Sequence, residues 1–166
     1  MANFINNIII VLKNFLNSEM IVFIISLLPV LELRGGLIAA TILNVEYLKA
    51  ALICIIGNIL PIPFILLLLK RILSIMEKYK LTARISHFLK NKAKKHKAQI
   101  DKYGFLGLVL FVGIPLPGTG AWTGSLVASV FDMDIKKSIV AIFLGILLAF
   151  IIMSIVSYGI IGNLLR

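Results

Sequence analysis

From Ser138 to Leu165 the chain has no charged residue, and from Leu48 to Leu69 it has only Lys49, near the start. Both runs exceed the ~20 residues that a helix needs to cross the hydrocarbon core of a bilayer. Lipid offers no partner to a bare N–H or C=O, so such a span closes its own hydrogen bonds as a helix. Composition agrees: 60% of the 166 residues are hydrophobic and mean hydropathy is +1.07, against ~45–50% apolar in a soluble domain. The chain reads as an all-α integral membrane protein, a single membrane domain over residues 1–166.

Two stretches match at a constant offset of 88 residues. Pro29 pairs with Pro117, Gly36 with Gly124, Ala40 with Ala128, Lys49 with Lys137 and Gly57 with Gly145. Thr41 pairs with Ser129, Asn44 with Asp132 and Glu46 with Asp134. Each copy has a short apolar arm, a Pro/Gly break, a second short arm, a charged elbow and a long span. Repeats with broken hydrophobic segments point to a transport site. The expected organisation is repeat 1 over residues 20–69, a basic connector over 70–104 and repeat 2 over 105–166. Phe4–Leu16, broken by Asn6, Asn7, Lys13 and Asn14, is too short to span. No signal-peptide pattern precedes it, so residues 1–19 are expected to form an interfacial helix.

Lys70–Lys102 holds 11 of the 17 basic residues. Basic loops stay in the cytoplasm, which places residues 70–102 inside and the protein in a bacterial-type inner membrane. Ile72, Ile75, Met76 and Tyr79 fall on one face, continued by Ile85, Phe88 and Leu89. This is the pattern of an amphipathic helix on the inner leaflet, attracting anionic lipid. No aromatic platform interleaves the lysines, which argues against nucleic acid.

Met20–Leu43 and Phe105–Phe131 either cross once as broken helices or dip in and return as re-entrant hairpins. The hairpin arrangement returns Lys136 and Lys137 to the cytoplasm and is favoured. It makes the halves inverted repeats, each a hairpin followed by a transmembrane helix. Backbone at membrane depth is tolerated only inside protein or along a cavity. The two tips are therefore expected to meet near the midplane.

Glu32 and Arg34 are the only ionisable residues deep in an apolar segment, each costing roughly 2.5–3.5 kcal/mol to insert, which usually marks a pathway. A guanidinium matches phosphate bidentately, so Arg34 is the candidate for an anionic headgroup. Glu32 is the candidate carrier of a coupling proton, because burial disfavours a charged carboxylate. An ion pair that only locks the tip is the structural alternative. Gly35 and Gly36 are expected to start a half-helix over Leu37–Leu43, with free N–H groups facing the cavity; the alternative for the glycines is that they serve only close packing of helices. In the second tip Pro117, Gly118, Thr119 and Gly120 offer backbone groups, and Thr119 and Thr123 offer hydroxyls. Trp122 occupies the position equivalent to Arg34, either at the site or as an interfacial anchor. Pro61 and Pro63 are expected to kink the first span, with Asn58 bonding a freed carbonyl or facing the cavity. The elbow residues Glu46, Lys49, Asp134 and Lys137 read as structural. Cys54 is alone, and His87 and His96 stand far from any acidic cluster, so no metal or other cofactor is expected.

E-L-R-G-G in the first half, with G-I-P-L-P-G-T-G-A-W-T-G-S in the second, resembles the small multidrug export protein family over about residues 20–162. The layout is also distantly similar to the DedA/VTT membrane superfamily. The first resemblance implies efflux. The second implies movement of lipids such as undecaprenyl phosphate, with only Glu32 and Arg34 transferable as site residues. Three functions follow as expectations. The first is transport of an anionic lipid or polyprenyl phosphate, with protons coupled through Glu32. The second is proton-coupled export of cationic amphiphiles bound by Glu32, with a cation–π contact from Trp122. The third is a membrane scaffold acting through the basic helix. No nucleophile–base pair or paired carboxylates lie at depth, so an enzyme is not expected. Two long spans are few to enclose a cavity, so a homodimer is the expectation.

Overall fold

The computed structural model describes residues 2–13, 15–76 and 97–161. Every regular element there is helical: α1 Ala2–Lys13, α2 Ser18–Leu27, α3 Glu32–Ile42, α4 Tyr47–Ile59, α5 Ile62–Met76, α6 Lys97–Gly113, α7 Ala121–Val130 and α8 Ile135–Ser154. A π-helical segment, Ile155–Ile161, continues α8. Two stretches are long and apolar enough to span a bilayer, Tyr47–Leu69 and Ile135–Gly159.

Local chemistry sets the boundaries. Asn17 caps α2 by accepting from the Met20 N–H at 2.8 Å, and Pro29 lies just past its end. Asp134 caps α8 by accepting from the Lys137 N–H at 2.9 Å, so this elbow residue is structural. Glu46 makes no such cap. Lys49 instead pairs with Glu19 on the surface at 3.4 Å. The first span breaks between α4 and α5, at Leu60–Pro61, as its prolines lead one to expect. The second, without proline, runs unbroken through α8.

The 88-residue period reappears in the backbone. Left-handed φ values fall at Val30, Glu32 and Asn44, and again at Gly118, Gly120 and Asp132, each pair 88 apart. Asn44 and Asp132 each end an arm in a Schellman-type turn. The Val45 N–H reaches the Ala40 carbonyl at 2.9 Å, and the Met133 N–H reaches Ala128 at the same distance.

In the first half α2 packs on both α3 and α4, and α1 lies over this group with Ile5 and Ile9 buried. In the second half α6 packs mainly on α8, while α7 is covered by α5. The α3 arm also touches α8 and the π-segment, so one core joins the halves.

One expectation is corrected. The half-helix of the first tip begins at Glu32, not after Gly36. The Gly35 N–H is spent on the Leu31 carbonyl at 2.7 Å, so it does not face a cavity. Within the basic connector, α5 carries the helix to Met76 and α6 begins at Lys97. The rest of the expected amphipathic helix, residues 77–96, lies outside the described residues.

Candidate functional site

The short second arm, α7, starts without a cap of its own. Gly120 precedes it, so its first N–H groups need an acceptor from elsewhere. Glu32 supplies it from the other half. Its Oε2 accepts from the Ala121 N–H at 3.1 Å and its Oε1 from the Trp122 N–H at 3.0 Å. Glu32 is 5% exposed, so the carboxylate is held by the positive end of a helix rather than by water. Gly120 is its seat. With φ 139° and ψ −172° the residue lies where essentially only glycine goes. A Cβ there would strike the Glu32 carboxylate, whose Cδ would be 2.7 Å away.

Arg34 serves the opposite side of the same break. Its Nη1 donates to the Leu116 carbonyl at 2.9 Å. Its Nη2 donates to the Val112 and Ile114 carbonyls at 3.2 Å and to Thr119 Oγ1 at 3.0 Å. One of these acceptors, the Val112 carbonyl, belongs to the last turn of α6, the negative pole of that helix, and the other carbonyls lie in the loop just past it. Thr119 Oγ1 also accepts from the Leu116 N–H at 3.2 Å, and its hydroxyl lies 2.9 Å from the Ile114 carbonyl. The anion thus holds the helix that starts after the break, and the cation holds the one that ends before it. Glu32 and Arg34 make no direct ion pair. The Lys49–Glu19 ion pair, by contrast, is exposed.

Polar atoms left over at this junction are informative. Among the described residues, Arg34 Nε, Trp122 Nε1 and Asn58 Oδ1 are buried with no partner, along with the hydroxyls of Ser154 and Ser157. Buried orphans are rare and call for an explanation. Asn58 is 2% exposed, and its position follows from the helix pair α3–α4. These helices are joined by a short turn and therefore run antiparallel. A Cβ on Gly36 would meet Cys54 Sγ at 2.9 Å. One turn back from Gly36 is Glu32, and one turn on from Cys54 is Asn58, so Asn58 stands at the level of Glu32.

The structure thus brings Glu32, Arg34, Thr119, Gly120 and Trp122 together, with Asn58 on the neighbouring helix α4 at the level of Glu32. Pro117 and Gly118 sit exposed in the loop that leads to the junction. Thr123 donates locally to the Gly120 carbonyl at 3.3 Å. Gly35 and Gly36 do another job. A Cβ on either would collide with α2 neighbours or the turn before α3, including Ser26 Oγ at Gly36, so they serve close packing of α2, α3 and α4.

Sequence reasoning passed over the buried hydroxyls. Ser26, Thr41, Ser125, Ser129 and Ser138 each donate to the carbonyl one turn back, as serines and threonines in helices do. Ser154 and Ser157 break that habit where α8 widens into the π-segment. Nothing in their sequence context marks this.

The sequence profile of the family described as "Putative small multi-drug export protein" matches residues 32–152. That is most of the chain, and it opens on Glu32. The chain belongs to this family. Its description is of an export protein, and the two apolar spans agree with a membrane transporter. No curated protein and no solved structure matches the chain.

Proposed function

We propose that this family member moves an anionic amphiphile, a lipid or polyprenyl phosphate, through the junction of its two hairpin tips, with Glu32 as the proton-carrying group. One observation carries the reading. The junction keeps two buried, unpartnered donors, Arg34 Nε–H and Trp122 Nε1–H, and donors without acceptors suit a ligand rich in acceptor oxygens. In this reading the tips enter from opposite faces as inverted repeats, and the basic connector faces the cytoplasm of a bacterial-type inner membrane. A second copy would help seal the path.

The family description favours a second reading, export of cationic amphiphiles. Glu32 would then be the binding anion and Trp122 a cation–π face. Trp122 is the chain's single tryptophan, so its fluorescence separates the two. Purified wild type, Arg34→Gln and Glu32→Gln are titrated with undecaprenyl phosphate and with a non-absorbing lipophilic cation. A saturable change with the phosphate that is lost in Arg34→Gln supports the lipid-phosphate reading. A saturable change with the cation that is lost in Glu32→Gln replaces it with drug export. Headgroup binding unchanged in Arg34→Gln overturns the first reading. If the tips are silent to both ligands while neutralising Lys92–Lys97 abolishes function, the scaffold role stands instead.

A further inference from the structure

The cap on α7 is borrowed. The helices α2 and α8 are capped by the residue immediately before them, Asn17 and Asp134. The helix α7 has glycine there, and its cap is a carboxylate 89 and 90 residues away in sequence. A glycine whose missing Cβ makes room for someone else's anion, in front of two helix-start N–H groups, is the architecture of an anion site. The occupant in this structure is Glu32.

Two further observations bear on whether the occupant can be exchanged. Arg34 Nε and Trp122 Nε1 remain without acceptors, although Trp122 donates its backbone N–H to Glu32 and Arg34 is two residues from it. The carboxylate satisfies the helix start but leaves these flanking donors unmet. Asn58 supplies the converse. Its Oδ1 is an orphan acceptor at the level of Glu32, in a residue 2% exposed. An ionised carboxylate has no hydrogen to give it, and a protonated carboxylic acid has one.

We propose that the start of α7, flanked by Arg34, is an anion site that the Glu32 carboxylate occupies as an internal stand-in, and that an anionic headgroup enters by displacing it as Glu32 takes up a proton and turns to Asn58. This deepens the lipid-phosphate reading above and rests on it. Charge balances: one negative charge arrives with the headgroup and one proton neutralises Glu32, so the junction stays neutral beside Arg34. The headgroup oxygens take over the Ala121 and Trp122 N–H groups and reach the free donors of Arg34 and Trp122. The Glu32 hydroxyl donates to Asn58 Oδ1. Among the described residues the charged group acting on Glu32 is Arg34. Of the other titratable groups, Cys54 on α4 lies one turn away against Gly36 and Ser26. Tyr158 of the π-segment lies farther off, donating to the Val45 carbonyl at 3.0 Å. The elements α1 and α2 bring no buried charge to the site.

The probe is a short-chain dialkyl phosphate, a monoanion whose own charge is constant over the working pH. Binding to the intact wild-type protein is followed by calorimetry in two buffers of different ionisation enthalpy. The expected result is uptake of about one proton per bound anion, with affinity falling about tenfold per pH unit while Glu32 is ionised in the free protein. Glu32→Gln is expected to bind without proton uptake and without pH dependence. Asn58→Leu is expected to weaken binding while leaving the melting temperature of the free protein unchanged or raised, because an orphan buried acceptor is removed. Anion binding by wild type with no proton uptake overturns the displacement and leaves the lipid-phosphate reading standing. No anion binding by either wild type or a folded Glu32→Gln overturns both.

Discussion

If Gly120 is the seat of the Glu32 carboxylate, Gly120→Ala must damage the protein through Glu32 and not only through its own backbone. Two costs add. A residue with a Cβ at φ 139°, ψ −172° is strained by about 1–3 kcal/mol. The displaced carboxylate also gives up its bonds to the Ala121 and Trp122 N–H groups, and hydrogen bonds to charged groups contribute about 1.5–3 kcal/mol each. The sum is roughly 4 kcal/mol at the low end. In a Glu32→Ala background the second cost is already gone, so Gly120→Ala should then cost only the strain. The double-mutant cycle is expected to give a coupling of about 3 kcal/mol. Equilibrium unfolding in mixed detergent micelles, read by Trp122 fluorescence, supplies the four stabilities. Gly118→Ala is the control: its φ is also left-handed, at +80°, but no atom lies within 4 Å of the added Cβ. It should cost only about 1–2 kcal/mol, with or without Glu32. Additivity of Gly120→Ala and Glu32→Ala within about 0.5 kcal/mol would refute the seat.

Other contacts yield simpler tests. Arg34→Lys keeps the charge but replaces a planar fork with a point charge that cannot reach the same four acceptors. It should destabilise by about 1.5–3 kcal/mol and speed proteolysis of the 114–120 loop. Gly36→Ala drives a Cβ into Ser26 Oγ, an overpacking that costs about 1–3 kcal/mol. Ser26→Ala should recover part of that loss in a thermal melt. Cys54 is fully buried, so a maleimide should label it only after denaturation, and fast labelling of native protein would contradict the α2–α3–α4 packing.

Much of this fold is legible in the sequence, because membrane chemistry leaves few options. Charge-free runs become helices, Pro61 breaks the first span, and the matched elbows Asn44 and Asp132 end their arms in the same turn. The repeat extends to dihedral angles, with Val30 and Glu32 answering Gly118 and Gly120. Glu32 and Arg34 stand out because an ionisable group at depth needs a reason. What they touch is hidden, since their partners are backbone groups and the Thr119 hydroxyl, 78 to 90 residues away, brought near only when the two tips meet. Gly35 and Gly36 mislead for a related reason. A glycine that breaks a helix and one that lets helices approach look alike in sequence, and the difference lies in Ser26 and Cys54 on neighbouring helices. The cap on α7 is likewise invisible locally, because Gly120 reads only as part of a Pro/Gly break until a carboxylate from the other repeat fills the space.

Flux through the junction is the decisive measurement. Proteoliposomes holding the purified protein are loaded with a short-chain prenyl phosphate, and its movement across the bilayer is followed under an imposed pH gradient. The expected result is gradient-driven movement by wild type, loss of gradient dependence in Glu32→Gln, and no movement in a correctly folded Arg34→Gln. Movement that survives Arg34→Gln at the wild-type rate would contradict it.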